Sequence, residues 1–108
     1  MSTELQKFKS EFFKALAHPL RVKILESLRE GDKSVNELNN LLEIENSAVS
    51  QQLSILRAKN IVVGKKEGNK VTYTVKDPLI FELLDVAKAI FNNHLIEAID
   101  LLKQIENE

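Results

Sequence analysis

The chain has 108 residues, 44% of them hydrophobic and 29% charged, with a formal net charge of −1 and no cysteine. That length suits one compact domain over residues 1–108 and is too short for a two-domain enzyme with a cleft between its halves. Without thiols there are no disulfides, thiolate metal sites, thiol nucleophiles or thiol redox sensors.

The first helical pattern begins near Thr3, where Thr3 and Gln6 have capping-box spacing and Leu5, Phe8, Phe12, Ala15 and Leu16 form an apolar stripe. His18-Pro19 ends it, because the residue before a proline is pushed out of the helical region, and Pro19 suits the first turn of the next helix. That second helix carries Leu20, Val22, Ile24, Leu25 and Leu28 and stops at Glu30-Gly31-Asp32, with Gly31 a natural residue just past a helix end. Ser34 and Glu37 have capping-box spacing ahead of a short third helix with Val35, Leu38, Leu41 and Leu42. After a break at Glu43-Ile44-Glu45, a fourth helix runs from about Asn46 to Lys59 with Val49, Leu53, Ile55 and Leu56 on its apolar side. Two short helices joined in this way are a helix-turn-helix. The segments Ile61–Lys66 and Val71–Val75 flank Gly68-Asn69 and read as a β-hairpin with a basic tip. A long final helix runs from Pro78 to about Ile105, with Asp77 as its N-cap. The fold expected is mainly α with a small β-hairpin, in the order α-α-α-α-β-β-α.

Charge is segregated along this chain. Between Ser54 and Lys76 there are six basic residues (Arg57, Lys59, Lys65, Lys66, Lys70, Lys76) against the single acid Glu67. From Asp77 onward, seven acids face only Lys88 and Lys103. A basic middle and an acidic arm suggest one face for a polyanion and another for a different partner. The N-terminus, Met1-Ser2-Thr3-Glu4, has no signal-peptide pattern, and no run approaches the roughly 18 apolar residues of a membrane span. A soluble, cytoplasmic protein is expected.

The fourth helix begins with residues suited to duplex DNA. With Val49 and Leu53 facing inward, Asn46, Ser47, Ala48, Ser50, Gln51 and Gln52 supply short side chains, amides and hydroxyls without an acid. Amides pair bidentately with adenine, and hydroxyls serve bases or phosphates. Lys65, Lys66 and Lys70 suit phosphate contacts from the hairpin, which add salt-dependent affinity rather than sequence information. Arg21, near the start of the second helix, suits either the DNA backbone or an acidic partner. In the last helix Leu84, Ala87, Phe91, Leu95, Ala98 and Leu102 recur at helical spacing, more apolar surface than one small core covers. No nucleophile context or glycine-rich phosphate loop marks an enzyme, and no cofactor is expected.

Three stretches together resemble the arsenic-repressor (ArsR-type) family of winged helix-turn-helix repressors: His18-Pro19-Leu20-Arg21-Val22-Lys23-Ile24-Leu25, then Ser47 through Arg57, then Gly68-Asn69-Lys70-Val71-Thr72-Tyr73. The resemblance covers nearly the whole chain. It implies a homodimer built from the first and last helices, with Leu5, Phe8 and Phe12 joining the last-helix stripe. It also implies binding to an inverted repeat in double-stranded DNA and release by an effector, which the sequence does not name.

The chain departs from the family's metal-sensing patterns. Where many members carry Cys-Val-Cys-Glu/Asp-Leu, this one reads Ser34-Val35-Asn36-Glu37-Leu38. Others place Asp-x-His ahead of His-x-x-His or His-x-x-Glu in the last helix. His94-Leu95-Ile96-Glu97 fits the second half, but Phe81-Glu82-Leu83 stands at the first, leaving His94 and Glu97 short of the usual ligand number. Two alternatives therefore stay open beside the repressor: a metal-responsive repressor using His94 and Glu97, and a winged-helix protein-interaction module that does not touch DNA.

Overall fold

The computed structural model describes residues 2–107 and is mainly helical with one three-stranded antiparallel sheet. The chain divides into two compact units, Met1–Asp77 and Pro78–Glu108.

The first unit opens with α1 (Thr3–Leu16). Its cap is Ser2, whose hydroxyl accepts the Leu5 N–H at 3.1 Å. The expected Thr3–Gln6 capping box is therefore displaced by one residue, with Thr3 already helical and Ser2 in the extended conformation an N-cap requires. Helix α2 (Pro19–Ser27) begins as expected: extended His18 is its N-cap, accepting the Leu20 N–H on Nδ1 at 3.1 Å, and Pro19 opens the first turn. A 3-10 turn, Leu28–Glu30, tightens its end, and Gly31 leaves it at φ 143°, a conformation open to glycine.

Strand β1 (Lys33–Ser34) follows, then α3 (Val35–Leu42) and α4 (Asn46–Ala58). Ser34 and Glu37 form the expected capping box: the Glu37 N–H donates to Ser34 Oγ at 3.2 Å, and the Ser34 N–H donates to Glu37 Oε1 at 3.1 Å. The turn between α3 and α4 is closed by Glu43 in the left-handed region and by the Asn39 side-chain amide donating to the Ile44 carbonyl. The end of α4 uses a second left-handed residue, Asn60, after which the Ile61 N–H returns to the Leu56 carbonyl at 2.9 Å.

Strands β2 (Val62–Glu67) and β3 (Lys70–Val75) make the hairpin, in a register that pairs Glu67 with Lys70 and leaves a two-residue turn. Gly68 alone of the turn pair has positive φ, 63°, as a turn with glycine first demands. Strand β1 adds to the far edge of β3 through Lys33–Tyr73 and Ser34–Thr72, giving the order β1-β3-β2. This third strand is not anticipated by the sequence, because two residues are too few to show alternation and Ser34 already reads as a helix cap. Ile24, Leu25, Leu38, Val49, Leu53, Leu56 and Val62 are fully buried and form the core of the unit. Burying each such side chain favours folding by roughly 1.5–3 kcal/mol before entropy opposes it.

The second unit is one helix, α5 (Leu79–Glu106), 28 residues and, at 1.5 Å per residue, about 42 Å long. Its N-cap is Pro78 rather than the expected Asp77. Val86, Ile90, Phe91, Leu95, Ile99, Leu102 and Ile105 are all exposed along it. No helix among the described residues is long and apolar enough to cross a membrane.

Candidate nucleic-acid interface

Helix α4 separates its side chains by face. Val49, Leu53 and Leu56 point into the core, which leaves Asn46, Ser47, Ser50 and Gln51 exposed, with Ala48 half-buried beside them. The first turn holds no acid and receives no side-chain cap. Its leading N–H groups are thus left without the side-chain acceptor that usually serves a helix start, on the end of the dipole that favours an anion. Asn46 ties this end to the preceding helix by donating from Nδ2 to Asn36 Oδ1 at 2.9 Å.

Gln52 departs from the set expected to meet DNA. It is 9% exposed, and its Oε1 accepts a hydrogen bond from Arg21 Nη1 at 3.1 Å. The reason is helical geometry: Gln52 follows Val49 by three residues and precedes Leu56 by four, so it lies on the inward stripe. Arg21 likewise has its head group engaged within the protein. Its Nη2 reaches the Lys14 carbonyl at 3.5 Å, and its buried Nε has no hydrogen-bond partner. Within the chain it pairs with the Gln52 amide and the Lys14 carbonyl rather than with an acid. The placement of Gln52 between Val49 and Leu56 was the available signal for this contact.

The hairpin places Lys65, Lys66 and Lys70 on its exposed surface. Two of the three have acidic neighbours: Lys65 Nζ lies 3.5 Å from Glu67 Oε1, and Lys70 Nζ lies 3.0 Å from Glu37 Oε1. Lys66 makes no ion pair among the described residues. The Lys70 contact links the hairpin to the first turn of α3, because Glu37 is also the acid of the capping box. The Lys70 ammonium, followed by the Ser34 N–H, holds the Glu37 carboxyl down at about 2, against an ordinary value of 4.5. This link was missed in the sequence, where Glu37 and Lys70 belong to separate elements.

The positions of interest for metal fall in two places. Ser34 and Asn36, which replace the two cysteines of the resemblance, serve the capping box and the Asn46 bond. His94 and Glu97 lie one turn apart on the exposed surface of α5. No group of three or more His, Cys, Asp or Glu side chains among the described residues is placed to hold a metal ion.

Residues 18–63 match the arsR family of bacterial regulatory proteins. The chain is 42% identical over 105 residues to the uncharacterized HTH-type transcriptional regulator Rv0081 of Mycobacterium tuberculosis, spanning 96% of this chain and 92% of that protein. The crystal structure of Rv0081 superposes with a TM-score of 0.82 at 43% identity, over 91% of this chain and 99% of that one. The biofilm growth-associated repressor of Agrobacterium fabrum is 36% identical over 78 residues, 72% of this chain and 67% of that protein. The homodimeric winged helix-turn-helix DNA-binding domain of Mb0332 from Mycobacterium bovis shares the fold, with a TM-score of 0.77 at 22% identity over 88% of this chain and 91% of that one.

Proposed function

This chain belongs to the arsR family of bacterial regulatory proteins, and we propose that it represses transcription by binding an inverted-repeat operator in duplex DNA as a homodimer. The observation that carries this reading is the exposed first turn of α4, which holds no acid past its N-cap Glu45, with Asn46, Ser47, Ser50 and Gln51 outward, in the same compact unit as a hairpin bearing Lys65, Lys66 and Lys70. Ser47, Ser50 and Gln51 read base edges in the major groove, with Asn46 and Ala48 at its rim. The lysines meet phosphates, Lys66 most directly, since it has no acid to leave.

The apolar surfaces of α1 and α5 support the dimer. On α1, Leu5 and Phe8 are 45% and 72% exposed, and Phe12 is half-buried. On α5, Phe91, Leu95 and Leu102 are about half to two-thirds exposed, with Ala87 and Ala98 also outward and Leu84 half-buried. Exposed apolar surface of this extent marks a protein contact, and a second copy presents the same surface back. In a twofold dimer the two recognition helices read half-sites about one DNA turn, roughly 34 Å, apart. In this reading residues 1–108 act as one DNA-binding and dimerisation domain in the cytoplasm, without cofactor or catalysis.

The test is fluorescence anisotropy on the DNA immediately upstream of the protein's own gene, at several salt concentrations, with an unrelated duplex of equal length as competitor. Tight binding that survives the competitor and weakens steeply with salt is the expected result. Equal and weak binding to both duplexes overturns it in favour of a protein-interaction module.

A further inference from the structure

We propose that Arg21 and Gln52 are positioning residues that fix the roll of α4 about its own axis, and so decide which of Ser47, Ser50 and Gln51 meet base edges, without touching DNA themselves. The proposal rests on the DNA-binding reading above and adds to it a determinant of specificity that lies behind the recognition surface.

The argument begins with what packing alone does for α4. Its inward stripe is Val49, Leu53 and Leu56, all fully buried. Apolar contacts are non-directional, so a stripe of aliphatic side chains resists withdrawal from the core more strongly than it resists a small rotation. A small roll is nonetheless decisive at the surface, because hydrogen bonds to base edges weaken steeply with distance and angle. The end contacts of the helix do not supply the missing constraint in its middle. Asn46 is bonded to Asn36 on the exposed surface, and the return of Ile61 to Leu56 lies past the last turn.

Gln52 supplies it. It is the buried polar residue of α4, it lies within the apolar stripe, and its amide oxygen meets Arg21 Nη1 at 3.1 Å across 31 residues of sequence. A hydrogen bond has a direction, and one made from the middle of the helix to a neighbouring helix opposes roll more than apolar contact does. Arg21 is itself held. Its guanidinium is a rigid planar fork, and the second arm reaches the Lys14 carbonyl in the last turn of α1. The buried Nε, with no acceptor, marks a head group placed by these other contacts rather than by its own full satisfaction. The tie therefore runs from α1 through α2 to the middle of α4, all inside one compact unit. A lysine at position 21 cannot reproduce it, because an ammonium has no fork with which to span both acceptors.

The experiment uses the full chain and two kinds of readout. The variants are Gln52→Leu, which continues the apolar stripe, Arg21→Lys, the two combined, and Gln52→Glu, which keeps an acceptor for Arg21. Binding is measured on the upstream duplex and on the unrelated duplex across salt. Residual dipolar couplings of the α4 amides are measured in the DNA-free protein, where a roll shifts their phase along the helix. Gln52→Leu and Arg21→Lys are expected to lower the preference for the upstream duplex about tenfold, the loss of roughly one base contact, with the salt slope and the unrelated duplex unchanged. The couplings of α4 should shift while those of α3 hold. The combined variant should lose no more than the worse single variant, and Gln52→Glu should keep both preference and phase. Unshifted couplings in Gln52→Leu and Arg21→Lys overturn the proposal, as do equal losses on both duplexes or single losses that multiply in the combination. A wild-type protein with no preference between duplexes removes the DNA-binding reading, and the dipolar couplings then still decide whether Arg21 and Gln52 fix the roll.

Discussion

Helices α4 and α5 are both amphipathic, yet folding leaves opposite surfaces on them. In α4 the apolar side chains Val49, Leu53 and Leu56 are used up by the core, and what its first two turns leave outside is mostly amide and hydroxyl. In α5 the apolar side chains from Val86 onward remain outside, with Phe91 65% and Ile90 64% exposed. The surface of α4 is thus set by packing within its own unit, whereas the apolar surface of α5 is the one the proposed dimer uses. A helix with a satisfied apolar side is free to specialise its polar side for a ligand, and a helix with an unsatisfied one is committed to a partner.

The sharpest way to break this contrast is to charge the α5 surface. Replacing Phe91 and Leu95 together by aspartate should abolish the dimer in sedimentation velocity and weaken operator binding about 1000-fold, since two interface anchors of about 1 kcal/mol each are lost from each subunit. A dimer that survives this change would mean that the exposed stripe is not its interface. The next effect separates the two kinds of packing in one measurement. Leu53→Ala should lower stability by about 3 kcal/mol at any protein concentration, by creating a cavity in the core. Leu102→Ala should lower the melting temperature at high protein concentration and progressively less on dilution, because its contribution depends on association. Calorimetry at two concentrations distinguishes them, and identical behaviour would erase the contrast.

Within the α4 unit, base and phosphate contacts should part in the same way. Gln51→Ala is expected to lose about 1–3 kcal/mol of discrimination at one base pair with the salt slope intact. Lys66→Ala should weaken binding to all sequences and flatten that slope by about 0.9 for each subunit, about 1.8 for the dimer. Titrating the operator and its single-base variants across salt checks both, and a reversed pattern would exchange the roles of helix and hairpin.

The smallest effect concerns Glu37. Its carboxyl is held at about 2 in the folded protein, below the ordinary 4.5, mainly by Lys70. A group with a lowered folded value contributes fully above its unfolded value, so the tie between hairpin and α3 should be complete above pH 4.5 and fade as the pH falls toward 2. Carbon NMR of the Glu37 carboxyl should give a midpoint near 2 in the wild type and a higher one in Lys70→Ala. An unmoved midpoint in the variant would assign the shift to the capping box alone.

Much of this was readable in the sequence because it is encoded locally. The Ser34–Glu37 capping box, the His18-Pro19 junction, the break at Glu43 and the Gly68 turn each depend on residues no more than three or four apart. Local signals failed where two were nearly equivalent: Ser2 and Thr3 are both good caps, and the chain uses Ser2. Contacts between distant segments left no such trace. Arg21 and Gln52 are 31 residues apart, and although the spacing of Gln52 from Val49 and Leu56 marks it as inward, nothing local names Arg21 as its partner. Lys70 reads as a free cation until the fold brings Glu37 to it. The sequence therefore revealed which helix carries the candidate site more clearly than it revealed which side chains on that helix face outward.

The order of the sheet gives the lysines of the hairpin a second consequence. In the order β1-β3-β2 the sheet ends in the two-residue β1 on one side and in β2 on the other, so its longer edge is β2, and most of that strand is exposed. An open edge is a template for pairing with another molecule's strand, the first step toward aggregation. Lys65, Lys66 and Glu67 occupy the outer half of that edge, where a second strand could add only by stripping water from their charges. Removing the lysines to weaken DNA contact would thus also remove the guard that keeps concentrated protein from zipping together along β2.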